Sequence, residues 1–298
     1  MTTLVLLALA GFGAQLVDGA LGMGYGVTST TLLLLAGLTP ATASASVHLA
    51  KIGTALASGY AHWRFANIDR KLVLRLGVPG AVGALLGALL LSRLSTAASA
   101  PLMAGLLVAI GVFILVKYTL RPPHESAARV SPHGRRFLGP LGFVGGFVDA
   151  TGGGGWGPVA TSTLLTAGRT APRTVIGSVS ASELLVTVAA SIGFVVGLGH
   201  AGIHWLAVAG LLIGGIVAAP IAAWLVTRLP SGVLGVAVGG LIVLSNLRAV
   251  LSSAGVDGIA VPVAHVGVAV VSVGLVTGAA RRLRASRRAA GAVVPQHV

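Results

Sequence analysis

Three carboxylates stand where ionised groups are costly. Of the six acidic residues in the chain, Asp18, Asp149 and Glu183 lie inside apolar runs. A charged side chain in hydrocarbon costs on the order of 2.5–3.5 kcal/mol on insertion scales, so it marks a pathway or a partner. Asp18 and Asp149 precede two glycine-rich runs, Leu21-Gly22-Met23-Gly24-Tyr25-Gly26 and Gly152-Gly153-Gly154-Gly155-Trp156-Gly157-Pro158. Two roles fit these aspartates: accepting N–H groups freed by a broken helix, or handling a proton or substrate. Ser44, His48, Lys51, Ala55, Ser58 and His62 recur at steps of four and three, which puts them on one face of a helix over 42–63. A second face carries Ser180, Glu183 and Thr187.

Other chemistries find no support. His200 and His204 have metal-ligand spacing, but Gly202 separates them and no acidic third ligand is near, so no metal site is expected. No GK[ST] follows either glycine run, which excludes a phosphate-cradling loop. GxSxG and HExxH are absent, and so is cysteine. Neither a catalytic residue nor a cofactor is expected, and the enzymatic alternative is an intramembrane one using Glu183, His48 or Asp149.

The elements that must position these residues are membrane helices. Hydrophobic residues make up 55% of the 298, charged residues 9%, and the mean hydropathy is +0.96. A soluble domain carries about 25% charged residues, so much of this surface must face lipid. Segments 72–92, 102–116, 203–227, 231–247 and 259–280 are nearly free of ionisable residues. Crossing ~30 Å of hydrocarbon takes ~20 such residues, and backbone facing lipid must be helical. The charge of +14 sits in short clusters between the spans, the pattern of cytoplasmic loops rather than of a nucleic-acid-binding face. Ala8-Leu9-Ala10 resembles a signal-cleavage site, but no basic segment precedes it, so the N-terminus reads as retained.

The chain repeats itself. Residues 11–37 align without gaps on 142–168, pairing Gly11 with Gly142, Asp18 with Asp149, Gly24 with Gly155, Tyr25 with Trp156 and Gly26 with Gly157. After one inserted residue, Pro40 meets Pro172, Ser46 meets Ser178, Ala50 meets Ser182 and Lys51 meets Glu183. The division is a first repeat over 1–118, a basic linker over 119–136, a second repeat over 137–280 and a basic tail over 281–298. With the tail in the cytoplasm, counting spans backwards puts 17 of the 20 basic residues inside, among them Lys117; Arg93 and Arg248 fall outside, Lys51 lies within the membrane, and the N-terminus lies outside. The turn at 64–71 is basic where its counterpart at 196–204 is not, and 168–173 is basic where 37–42 is not. Equivalent turns therefore lie on opposite sides. The expected fold is all-α and polytopic, with about seven to nine membrane helices in two inverted repeats.

Segments 3–38 and 137–168 must each return to the side they came from, and their second limbs are too short to span at ~1.5 Å per residue. They read as broken or re-entrant helical hairpins whose tips meet near the midplane. Half-helix N-termini at Gly26 and Gly157 would present N–H groups to an anion. Gly24, Tyr25, Gly26, Ser29, Thr30, His48, Lys51, Gly155, Trp156, Gly157, Thr161, Ser162 and Ser182 are the candidate substrate-binding residues. Lys51 and Glu183 either pair as a salt bridge, or Lys51 meets the anion while Glu183 or His48 carries a proton.

The run VDGALGMGYGVTSTTLLLLAGLTPATASASVHLAKIGTALASGYAHWRFANID, echoed by FVDATGGGGWGPVATSTLLTAG, resembles the sulfite exporter TauE/SafE family of membrane permeases. The resemblance extends over nearly all of residues 4–280. It implies a permease of the bacterial cytoplasmic membrane that exports small sulfur-containing anions, sulfite or organosulfonates, with a proton or other ion as coupling partner. Relatives often carry an acidic residue where this chain has Lys51, and a cation there suits an anion. A passive anion channel, or a carrier of another small anion, shares the same composition.

Overall fold

The structure, a computed structural model, describes residues 2–21, 23–120, 130–225 and 231–292. All regular elements among them are helices: α1 (Thr2–Leu21), α2 (Tyr25–Leu35), α3 (Pro40–Arg64), α4 (Arg70–Arg93), α5 (Thr96–Leu120), α6 (Arg135–Gly152), a π-helical turn (Gly157–Thr161), α7 (Ser162–Ala167), α8 (Pro172–Leu198), a 3₁₀ turn (His200–Gly202), α9 (Trp205–Leu225), α10 (Ser231–Ser253) and α11 (Ala260–Ala292). Five are long and apolar enough to cross a membrane: Arg70–Arg93, Thr96–Leu120, Arg173–Leu198, Gly235–Ser253 and Ala260–Arg282. Val263, Val266 and Val270 of α11 are each more than 60% exposed, a burden in water and an ordinary lipid-facing surface in a bilayer.

Both hairpins break where the glycine runs predict. α1 ends at Leu21 and α2 begins at Tyr25; α6 ends at Gly152 and helix resumes at Gly157. α2 has 11 residues, about 16 Å of helix and half a bilayer. α11 continues past residue 280 to Ala292, where the alanine- and arginine-rich sequence favours helix. Of the expected linker, 121–129 lies outside the described residues, α5 reaches Leu120, and α6 begins at Arg135. Arg228 and the last six residues are likewise outside them.

The two halves pack into each other. α1 lies along α9 of the second half, α6 lies along α4 of the first, and α5 pairs with α10. Glycine lets the backbones meet: a Cβ placed on Gly11 would sit 2.5 Å from the Leu211 carbonyl oxygen, and one on Gly142 would strike the Leu76 carbonyl. Such close approach of small residues replaces the hydrophobic effect, which lipid cannot supply between helices. α3 and α8 run antiparallel. Thr42 Oγ1, early in α3, donates to Gly202 O just beyond α8 (3.1 Å), while Asp69 N, just beyond α3, donates to Ser178 Oγ early in α8 (2.9 Å). Asp69 also caps α4, with Oδ1 accepting from Lys71 N at 2.9 Å and Leu72 N at 3.3 Å.

Candidate functional site

Each break is stitched by its aspartate. Asp18 Oδ1 accepts from Tyr25 N at 3.2 Å. Asp149 Oδ1 accepts from Gly155 N at 2.6 Å and Trp156 N at 2.9 Å. In both halves a carboxylate on the first limb captures an N–H at the start of the second, seven residues on, where helix geometry supplies no partner. The backbone reverses through left-handed glycines, Gly24 at φ 121° and Gly153 at φ 69°, a conformation that a Cβ disfavours.

The two tips touch. Thr30 Oγ1 of α2 donates to Gly153 O at 2.6 Å. A Cβ on Gly26 would lie 2.7 Å from Gly154 Cα and 3.5 Å from Lys51 Nζ, and one on Gly154 would strike the Gly26 and Val27 backbone. The glycines thus serve mutual approach of two backbones beside a lysine.

Around this contact lies a buried ionic cluster. Lys51 Nζ is 2.8 Å from Glu183 Oε1 and 3.3 Å from Asp149 Oδ2. His48 Nε2 is 3.0 Å from Asp149 Oδ2, while its Nδ1 is 2.8 Å from Ser44 O. Ser44 Oγ donates instead to Ala150 O at 2.6 Å. Both ring nitrogens of His48 therefore lie within hydrogen-bond distance of an oxygen, and Ser44 Oγ is also 3.3 Å from Nδ1. Asp149 and His48 are fully buried, whereas the Glu183 side chain keeps 25% exposure. A buried pair of this kind needs its partners, since removing one strands the other.

Other expected residues lie around the same contact but use their polar atoms elsewhere. Tyr25 Oη donates to Leu211 O at 2.9 Å, and Trp156 Nε1 donates to Val179 O at 3.1 Å. Ser182 Oγ donates to Val179 O at 2.8 Å. Ser29, Thr161 and Ser162 are buried at the starts of the second limbs, and Thr187 Oγ1 is buried without a partner among the described residues. His62 stands at the far end of α3, away from the cluster. Sequence reasoning missed Lys117, whose Nζ donates to Ser162 Oγ at 2.9 Å, and Asn246, whose Nδ2 donates to Thr31 Oγ1 at 3.2 Å. Polar side chains within apolar helices were the available signal. His200 stacks on Trp205, and His204 Nδ1 accepts from Ala207 N at 3.1 Å.

Comparison with known proteins bears on what such a centre does. The sulfite exporter TauE/SafE family profile matches residues 7–249. A curated protein of Bacillus subtilis (strain 168), "Probable membrane transporter protein YtnM", is 46% identical over 252 residues, covering 85% of this chain and 84% of that protein. No solved structure matches. The apolar helices and these likenesses together describe a multi-pass membrane protein of a transporter family. With a matched profile over most of its length, the chain belongs to the sulfite exporter TauE/SafE family.

Proposed function

We propose that the protein is a secondary transporter that exports a small sulfur-containing anion, sulfite or an organosulfonate, across the bacterial cytoplasmic membrane. The observation that carries this reading is the meeting of the two glycine tips, Gly26 against Gly154, beside Lys51. A break in each half, closed by an aspartate and converging on a charged centre, is how inverted-repeat carriers seat a substrate at the midplane. The family description supplies sulfite as the substrate to test first.

Inversion of the repeats is supported by direction. α3 and α8 are equivalent in the repeat yet antiparallel in space. The contact of Gly11 with Leu211 and that of Gly142 with Leu76 relate each half to the other in the same way. The tips, Ser29, Thr161 and the facing sides of α3 and α8 surround the anion's seat, and Tyr25, Trp156 and Ser182 hold that seat in shape through backbone carbonyls. Glu183, the exposed member of the cluster, is the coupling group: a proton there frees Lys51 for the substrate.

Purified protein in liposomes should carry sulfite or methanesulfonate, and anion loaded on the far side should accelerate entry. Flux without that acceleration identifies a channel; absence of flux for both anions removes the substrate assignment.

A further inference from the structure

Among the described residues, Lys117 is a cation with no carboxylate partner. It lies near the end of α5, half-buried. Its Nζ donates to Ser162 Oγ at 2.9 Å, lies 3.9 Å from Met23 Sδ and sits 5.3 Å from the Tyr118 ring centroid. Met23 belongs to the first break and Ser162 opens α7 of the second, so one ammonium bridges both hairpins. Five of the six acidic residues are described, Asp18, Asp69, Asp149, Glu183 and Asp257, and none forms an ion pair with it; Glu125 lies outside the described residues.

The central cluster offers no such vacancy. Lys51 is already held by two carboxylates, Asp149 and Glu183. An arriving anion finds surplus positive charge at Lys117. The opposite half differs at the matching place: Thr31, equivalent to Ser162 in the repeat, receives the neutral amide of Asn246 from α10. The matching hydroxyls therefore differ in partner, an ammonium on Ser162 and an amide on Thr31. Arg282 Nη1 donates to Thr119 O at 3.0 Å, so Lys117 lies toward the end of α5 where α11 carries its arginines.

We propose that Lys117, with Ser162 beside it, is the loading site that first receives the anion on the cytoplasmic face. The loading site rests on the anion-transport reading above. A cation at one entrance raises the local anion concentration there, and a charge-assisted hydrogen bond fixes the anion before it moves on.

Proteoliposomes of known orientation test this with sulfite and methanesulfonate supplied to one face at a time. Lys117→Gln should raise the KM from the cytoplasmic face about tenfold or more, with maximal flux kept. The KM from the outer face should move less than twofold, and Lys117→Arg should restore the wild-type value. An unchanged KM in folded Lys117→Gln, or an equal rise from both faces, overturns the loading site while leaving transport intact. A Lys117→Gln protein that does not fold transfers the test to Ser162→Ala, which should raise the cytoplasmic KM; an unchanged cytoplasmic KM in folded Ser162→Ala overturns the loading site. Wild-type protein without flux of either anion overturns the transport reading itself.

Discussion

Lys51 Nζ lies 2.8 Å from Glu183 Oε1, and these two residues occupy matching positions of the two halves. The pair ties α3 to α8. Asp149 of α6 brings a second carboxylate to Lys51 and also meets His48 of α3. The same carboxylate closes the glycine turn through Gly155 N and Trp156 N. Charge and backbone geometry are therefore coupled at one group.

That coupling sets an order between the two equivalent aspartates. Asp149→Asn takes one of two carboxylates from Lys51 and the carboxylate facing His48, and weakens two cap bonds, a loss of about 3 kcal/mol or more. Asp18→Asn weakens one long cap bond, about 1 kcal/mol or less. Melting in detergent should show the first variant far below the second; equal melting points would dissociate the cluster from stability.

Gly154→Ala should abolish folding or flux, because the new Cβ strikes the Gly26 and Val27 backbone and φ is already +158°. Gly13→Ala, whose Cβ meets nothing within 4 Å, should fold at least as well as wild type, since alanine suits helix better. Chromatographic yield together with sulfite flux separates the two.

The absence of cysteine makes single-cysteine mapping clean. Ala201→Cys, next to Gly202 where α3 starts and α8 ends, should react with an impermeant maleimide on intact cells. Arg70→Cys, at the opposite ends of these helices, should react only after permeabilisation. Labelling of both on intact cells removes the inverted arrangement.

His133 lies outside the spans, and burial followed by the nearby Arg169 charge lowers its pKa below the ordinary 6.5. It therefore favours the neutral ring in the fold, stacked on Phe137 at 4.8 Å. Its stabilising effect is complete above pH ~6.5 and declines as pH falls below that, because the unfolded chain then binds the proton more readily. Melting of wild type should fall more steeply between pH 7.5 and 5.5 than melting of His133→Asn; parallel curves would exclude the residue.

Much of the centre was legible because helical periodicity and the repeat are local properties of a chain. His48 and Lys51 share a face at a step of three, and the alignment that pairs Lys51 with Glu183 needs only counting. Asp18 and Asp149 declared themselves through the glycines that follow them. Tyr25 and Trp156 show where such reasoning stops. Their residue types suit an anion, yet their donors meet Leu211 O and Val179 O, carbonyls supplied by helices whose approach depends on how the halves interlock.

The sequence by itself determined that the chain crosses lipid and that helix breaks at two places, each an aspartate followed by a run of glycines, since apolar length and helix-breaking residues act along the chain. Only the tertiary structure decided which charges cancel. Lys51 loses its surplus charge to carboxylates 98 and 132 residues away, whereas Lys117, which reads in the sequence as one more basic residue beside a loop, meets a serine and a methionine instead. Electrostatic roles follow distance in space, and that distance is set by the packing of one half into the other.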